Sequence, residues 1–464
     1  MQGFENLILL TDSYKVTHHR QYPPQTESVF SYFESRGGEF SSTVFFGLQY
    51  YLKKYLAGRV VQPEQIDEAE ELFAQHFAGD KTLFNRAGWE HIVNQHDGRL
   101  PISIRAVPEG TVVPVSNVLM TIENTDPACY WLTNYLETLL VQVWYGSTVA
   151  TQSREMKKTI LESLEETGSP ELIDFKLHDF GFRGVSSVET AGIGGAAHLV
   201  NFRGTDTVAG LIVARDYYDC EMAGFSIPAA EHSTQTSWGA DHEVDAMRNM
   251  LHQFPTGLVA VVSDSYDIFN ACRNLWGDEL KADVLNRDGV LVVRPDSGDP
   301  QEIVCKVLET LGEAFGTETN DKGFKVLHPK VRVIQGDGID RAMLSQILKA
   351  TTAAGWSTDN IAFGSGGGLL QKLNRDTSKY AFKCSDITVN GQHRDVFKQP
   401  VTDSGKRSKA GRLTLVQRDG QFVSIREEDQ RSNDDDQMVE VFRDGKILKE
   451  YTLDDIRKQA ALSD

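Results

Sequence analysis

Residues 224–239 read GFSIPAAEHSTQTSWG: a short apolar run stops at a carboxylate and an imidazole, Glu231 and His232. The neutral ring of a histidine carries a nucleophilic lone pair and titrates near neutrality. Beside a carboxylate it can act as base or nucleophile, or it can be a hydrogen-bonded structural group. The pattern recurs along the chain. HDFGFRG (178–184) packs His178, Asp179, Phe180 and Arg183 into one turn, and an aromatic beside a guanidinium can sandwich a flat ring. Asp206 opens the next run and can accept a hydrogen bond from an amide. SDSYD (263–267) offers Asp264 and Asp267 beside hydroxyls. VVRPDSG (292–298) sets Arg294 two residues before Asp296. These two form either an internal ion pair or a stacking, phosphate-seeking Arg with an Asp for sugar hydroxyls or a Mg2+ water shell. QGDGI (335–339) and GSGGGL (364–369) each follow an apolar run. Consecutive glycines let backbone N–H groups close on an anion. Either stretch alone could be a tight turn, but two in succession resemble a phosphate cradle.

The elements that must hold these residues follow from the same runs. FKLHDFGFRG, TDTVAGLIV, FSIPAAEHS, LVAVVSDSYD, VLVVRPDSGD, VRVIQGDGID and IAFGSGGGLL are short and apolar, and end in polar residues or Gly. Helical patterns lie between several of them. Residues 300–315 place Ile303, Val304, Val307, Leu308 and Leu311 on one face. Buried strands alternating with helices predict a parallel sheet. Polar residues at the carboxyl ends of so many strands favour a (β/α) barrel over an open doubly wound sheet, because a barrel gathers those ends at one mouth. The flanks differ. Residues 63–77 read as an amphipathic helix with Ile66, Ala69, Leu72, Phe73 and Phe77 on one face, and 153–166 as another. ISIRAV and VLMTIEN alternate as antiparallel strands, and RLTLVQRDGQFVSI and VEVFRDGKIL are hairpins turning on Asp-Gly. The acidic stretch 426–437 between them reads as a solvated loop. The expected organisation is an antiparallel α+β domain from residues 1–150 and 377–464, around an α/β barrel catalytic domain at 151–376.

Composition sets outer limits. The chain has 464 residues, 40% of them hydrophobic and 24% charged, enough for two domains. A net charge of −19 argues against nucleic-acid binding through a general basic surface. Against that background Lys372, Arg375, Lys383, Lys398, Lys406, Arg407 and Lys409 stand out as a basic cluster beside the glycine loops, suited to a multiply phosphorylated ligand. No apolar run reaches the ~18 residues of a membrane span, and the start lacks the basic flank of a signal peptide. Five scattered Cys without a CxxC suit a reducing cytoplasm rather than disulfides or a zinc site. There is no P-loop. GIGGAA (192–197) matches a dinucleotide fingerprint only formally, and reads as a small-residue helix packed tightly on a neighbour.

Taken together, TDSYKVTHHRQYPP (11–24), HDFGFRGVSS, GTDTVAG, PAAEHS, VVSDSYD, RPDSG, QGDG and FGSGGGLLQKLNRD (363–376) closely resemble the nicotinamide phosphoribosyltransferase family, in order and nearly end to end. The resemblance implies a barrel of the type II phosphoribosyltransferase kind, in a homodimer with sites at the subunit interface. It implies transfer of the phosphoribosyl group of 5-phosphoribosyl 1-pyrophosphate to nicotinamide with Mg2+, in NAD salvage. Phe180 would stack on the pyridine ring with Tyr14 from the other subunit, and Asp206 would accept from the carboxamide and repel nicotinate. Arg294 would pack near ring and ribose, and Asp296 would bind ribose hydroxyls. Gly336, Asp337, Gly366 and Gly367 would hold ribose and phosphate, while Arg183, Arg375, Lys383 and Lys398, with Arg36 and Lys406 further out, would face phosphates. His232 would be phosphorylated by ATP, with Glu231 and Asp267 orienting its ring. Nicotinate transfer and a non-catalytic nucleotide-binding barrel are the competing readings.

Overall fold

In the computed structural model, which describes residues 5–399 and 408–462, most of the short apolar runs become parallel strands. These are β1 (Leu177–Asp179), β2 (Gly204–Thr205), β3 (Thr256–Val262), β4 (Asp288–Arg294), β5 (Val331–Gln335) and β6 (Ile361–Ser365). They lie in the order β2-β1-β6-β5-β4-β3, every pair parallel. The two edges are joined by residues 225–230. On one side Phe225 pairs with Gly204, its N–H donating to Arg203 O and its carbonyl accepting from Thr205 N. On the other Ala229 pairs with Ala260, and Ala230 N donates to Ala260 O. The run that ends in Glu231 and His232 therefore closes the ring, and all seven carboxyl ends open at one mouth.

Each strand is Val- and Ile-rich because both of its faces are covered. Val259, Val261, Leu291, Val293, Val331 and Val333 are fully buried, each contributing roughly 1.5–3 kcal/mol. The helices Pro300–Phe315 and Arg341–Ala353 start where Asp299 and Asp340 cap them, accepting from Glu302 N and Met343 N. One expected strand is a helix: in TDTVAGLIV only Thr205 is extended, and Val208–Tyr218 is helical. A short all-apolar run shows no period, and here Ala209, Gly210, Val213, Ala214 and Tyr218 are buried at helical spacing while Val208 and Ile212 face out. The GIGGAA segment lies in the helix Val188–His198. A Cβ on Gly195 would come 3.0 Å from the Gly210 Cα, so two glycines let these helices touch.

The barrel unit comprises Gln152–Arg215 and Glu221–Lys372; a second unit is formed by Met1–Thr151, Asp216–Cys220 and Leu373–Ala461. In the second unit both chain ends build one antiparallel sheet, in the order Gln392–Asp395, Tyr380–Val389, Thr26–Ser35, Val118–Asn124, Ile102–Ala106, Val439–Arg443, Lys446–Ile447. Both Asp-Gly hairpins form, with φ of 50° and 76° at Asp419 and Gly420, and 50° and 77° at Asp444 and Gly445. Helix Pro63–His76 buries Ile66, Ala69 and Phe73, but Leu72, expected on that face, is 48% exposed. The acidic stretch after the first hairpin is more than a solvated loop. Asp434 takes Arg418 in a two-point pair at 2.6–2.7 Å, Asp436 takes Arg105 at 2.8 Å and Glu427 takes Arg412 at 2.8 Å. No described helix is long and apolar enough to cross a membrane.

Candidate active site

The floor of the barrel mouth is apolar. Ala260, Val292 and Ile334 form a buried cluster from β3, β4 and β5, and Phe180, Ile227 and Ala362 pack on it. Phe180 follows β1, and its N–H donates to Ser365 O at 3.0 Å. The ring occupies space that side chains would otherwise fill: a Cβ on Gly364 would sit 1.9 Å from it, and one on Gly336 3.2 Å. The Arg294 guanidinium lies 5.9 Å from the ring centroid, held from behind by Asp296 Oδ1 at 3.0 Å. The Arg–Asp pair and the aromatic–guanidinium pairing thus coexist, and they set a guanidinium beside the π-face of Phe180.

Asp206 stands one strand away, its N–H donating to Asp179 O at 2.9 Å. Ser226, which the sequence did not single out, donates its hydroxyl to Asp206 Oδ1, leaving the other oxygen of this exposed carboxylate for a ligand. Asp179 is fully buried; burial lifts its carboxyl to about 6, partly offset by the Gly181 N–H at 2.7 Å. His178 turns the other way. Its Nε2 lies 3.0 Å from Phe175 O, and the ring stacks where a Cβ on Gly204 would come within 2.3 Å.

His232 begins the helix His232–Thr236, and its Nε2 lies 2.9 Å from Asp264 Oδ1. The second Asp264 oxygen accepts from Asp296 N at 3.0 Å and from the Ser297 hydroxyl. Asp296 Oδ2 is 3.8 Å from His232 Nδ1. A proton on Nε2 facing Asp264 leaves the Nδ1 lone pair without a hydrogen bond, on the side of Asp296. Here the expectation for Asp267 is corrected. Its carboxylate caps the helix that begins at Ile268, accepting from Phe269 N and Asn270 N, and Asp264 does the orienting. Glu231 likewise accepts from the Ser233 hydroxyl and has no described bond to the ring.

The glycine loops lie at the ends of β5 and β6. Gln335 Nε2 donates to Asp337 O at 3.0 Å, fixing the turn that carries Gly336 and Asp337. Gly366 precedes the short helix Gly367–Leu370, and a Cβ on Gly367 would meet nothing within 4 Å, so its backbone is open to a ligand. Gly184, in the turn bearing the exposed Arg183, approaches Gly367 N to 3.4 Å measured from a built Cβ. Lys372 pairs with Asp340 at 3.6 Å.

Tyr14, Arg36, Arg375, Lys383 and Lys398 belong to the antiparallel unit. Tyr14 is 59% exposed, with its ring edge-on to His18. Lys383 is held below the usual lysine range by burial, then by Arg36, Arg375 and Lys15, against the pull of Glu137. Arg36, Arg375 and Lys383 therefore share one basic neighbourhood. Arg36 and Lys409 both bind the buried Glu34, Arg36 at 2.7 Å, so part of the expected free charge is already compensated. Lys398 is exposed, its backbone N–H donating to the Ser408 hydroxyl at 2.8 Å. Lys406 and Arg407 lie outside the described residues.

The family model for the nicotinate phosphoribosyltransferase (NAPRTase) family matches residues 175–446, and that for the nicotinamide phosphoribosyltransferase N-terminal domain matches residues 6–104. A nicotinamide phosphoribosyltransferase of Xanthomonas campestris pv. campestris is 53% identical over 99% of both chains. One from Acinetobacter baylyi is 34% identical over 98% of this chain and 97% of its own. Among solved structures, nicotinate-nucleotide pyrophosphorylase from Pyrococcus furiosus superposes with a TM-score of 0.62 at 14% identity, covering 99% of this chain and 95% of that one. Human nicotinic acid phosphoribosyltransferase gives 0.55 at 15%, covering 97% and 93%. At such identity these two speak for the fold alone.

Proposed function

Because the chain belongs to the nicotinamide phosphoribosyltransferase family, we propose that it joins nicotinamide to 5-phosphoribosyl 1-pyrophosphate, giving nicotinamide mononucleotide and pyrophosphate, and that ATP drives this through a phosphate carried on His232. The observation that carries the reading is the Phe180 ring with the Arg294 guanidinium beside it, and, at the end of the neighbouring strand, the Asp206 carboxylate with one oxygen left open. A flat pyridine can stack on the Phe180 ring. Its carboxamide can donate to Asp206, whereas a carboxylate would meet like charge.

In this reading the ring nitrogen attacks the anomeric carbon as the bond to pyrophosphate breaks. The carbon passes through an oxocarbenium-like state, so the protein orients and stabilises charge rather than supplying a nucleophile. Gly336, Asp337, Gly366 and Gly367 hold ribose and 5-phosphate by backbone N–H groups; Asp296 takes ribose hydroxyls. Arg183 meets phosphates at the mouth. Arg36, Arg375, Lys383, Lys398 and Lys406 bring the basic charge, some of it and Tyr14 from a second subunit. Mg2+ would arrive on the pyrophosphate, and the oxygen donors Asp296 and Asp337 suit a cation that keeps most of its waters; it would neutralise the leaving group. His232 Nδ1 would take the γ-phosphate, and Asp264 would hold the ring as its charge grows.

The test is product formation by the purified protein from 5-phosphoribosyl 1-pyrophosphate and Mg2+, with nicotinamide or nicotinate, with and without ATP. Nicotinamide mononucleotide as the main product, increased by ATP, is expected. Turnover mainly of nicotinate would remove the role of Asp206. No product from a folded protein would favour a binding protein.

A further inference from the structure

The antiparallel unit holds a second cluster of chemically capable groups, which the transfer reaction does not use. Helix Arg86–His96 carries His91 and ends in His96; the turn Pro127–Cys129 is capped by Asp126 and closes with Cys129. Asp126 Oδ1 accepts from Ala128 N at 2.8 Å, which fixes the carboxylate so that its second oxygen faces the helix. That oxygen, Oδ2, lies 2.7 Å from His91 Nε2 and 2.6 Å from His96 Nε2. The ligand atoms of His91, Asp126 and Cys129 all fall within 4.8 Å of one another. Cys129 is buried and unbridged, whereas the side chains of His91, His96 and Asp126 keep 33%, 26% and 22% of their exposure. The cluster is a shallow cup with a thiol at its floor and imidazoles at its open side.

A hydrogen-bonded His–Asp–His clamp would need only the first three residues. The Cys129 thiol converges with His91 and Asp126, and His96 joins them through the same Asp126 oxygen. We propose that His91, Asp126 and Cys129 form the core of a binding site for a divalent ion of the Zn2+ type that staples the helix to the turn, with His96, which shares the Asp126 oxygen, as the fourth ligand. Two imidazoles, one carboxylate oxygen and one thiolate make a donor set that Zn2+ accepts in tetrahedral geometry, at about 2.0–2.3 Å per bond. Mg2+ prefers all-oxygen surroundings, so this site is chemically distinct from any Mg2+ carried by substrate. On binding, the two N–H···O contacts open, each imidazole shifts its proton through solvent from Nε2 to Nδ1 so that the Nε2 lone pair reaches the metal, and the Cys129 S–H bond breaks. Sulfur keeps the electron pair and gives it to the metal, and the proton leaves to solvent. The sequence concealed the site because its ligands are spread over 39 positions, from 91 to 129, without a paired-cysteine spacing.

The experiment uses the full chain, stripped with a chelator and loaded with Zn2+ or Co2+. One ion per chain is expected. Co2+ should give a thiolate-to-metal charge-transfer band with the strong visible absorption of a tetrahedral site. Added Zn2+ should raise the thermal midpoint, since it binds only the folded chain. Cys129→Ser should abolish the charge-transfer band. A His91→Gln/His96→Gln double variant should weaken Zn2+ retention by at least ~10-fold with an unchanged midpoint in chelator. If a variant fails to fold, protection of Cys129 from alkylation by Zn2+ in the unaltered protein carries the same information, read by peptide mapping. A Co2+ complex without a thiolate band, an alkylation rate at Cys129 indifferent to Zn2+, or equal retention by the double variant would overturn the proposal.

Discussion

The most informative single residue is Asp264. Of two aspartates three positions apart, Asp264 and Asp267, the resemblance named Asp267 as partner of His232, and the backbone after β3 divides the two differently. Asp264 stays at the mouth with its side chain 3% exposed, while Asp267 is spent on a helix start. An Asp directly before Ile-Phe-Asn is a capping signal; the sequence contained that clue. The side chain of Asp264 touches the imidazole and two groups of the next loop, so it both orients His232 and ties it to Asp296. Asp264→Asn should keep the shape and lose the charge that supports a cationic or phosphorylated ring. A hydrogen bond to a charged group is worth about 1.5–3 kcal/mol. The stimulation by ATP should therefore fall roughly 10- to 100-fold, with ATP-independent transfer within a few-fold of normal and acid-labile phosphate on His232 lost. Equal ATP stimulation in the variant would discard the orienting role. Ser226 was not legible, because nothing in a lone Ser two residues into an apolar run says that it faces Asp206.

At the scale of elements, the barrel strands carry the Phe180 ring and the glycines leave it room. Gly364 lies in β6, and a Cβ there would overlap the Phe180 ring at 1.9 Å, so the ring must move. Gly364→Ala should raise KM for nicotinamide by ~10-fold or more and cost about 1–3 kcal/mol of stability through overpacking. Steady-state kinetics and urea unfolding read both, and an unchanged KM would mean the ring does not shape the nicotinamide pocket. The helix Val188–His198 ends in a fully buried histidine. The Ser153 hydroxyl is 3.0 Å from its Nδ1, and its Nε2 is 3.2 Å from Leu177 O. Burial, and then nearby His178, hold His198 down at about 3. Between about 6.5 and about 3 the unfolded chain takes up a proton that the folded chain refuses, so stability falls as pH drops through that window. The loss should reach a few kcal/mol at its acid end. Urea midpoints against pH should show about one proton less uptake in His198→Gln, which can keep both hydrogen bonds. The same slope in that variant would assign the acid sensitivity elsewhere.

For the whole molecule, the question is how many chains make one site. If Tyr14 stacks at the Phe180 ring of a second subunit, Tyr14→Ala and Phe180→Ala should each be nearly inactive alone. Unfolded together and refolded as a mixture, they should recover roughly a quarter of the normal sites, because half of the dimers are mixed and each of those has one intact site. Activity no higher than that of the separate variants would place both residues in one chain.

Much of this was determined by the sequence itself. Apolar runs with polar ends imply parallel strands opening at one mouth, and Asp-Gly between alternating runs implies hairpins; local chemistry suffices for both. The order of motifs was equally legible, since function keeps residue types at fixed strand ends. The tertiary structure decided what depends on partners far apart in sequence. Residues 225–230 join β2 to β3 because two sheet edges would otherwise leave N–H and C=O groups unpaired. Val208–Tyr218 is a helix that meets Gly195 through Gly210, a contact no periodicity reports. Arg36 and Lys409 are compensated because Glu34 is buried between them. His91, His96, Asp126 and Cys129 meet only because a helix end lies against a capped turn. Residue types and local spacing state which groups exist and which way a segment can fold; only packing brings distant groups within bonding distance and says which of them remain free.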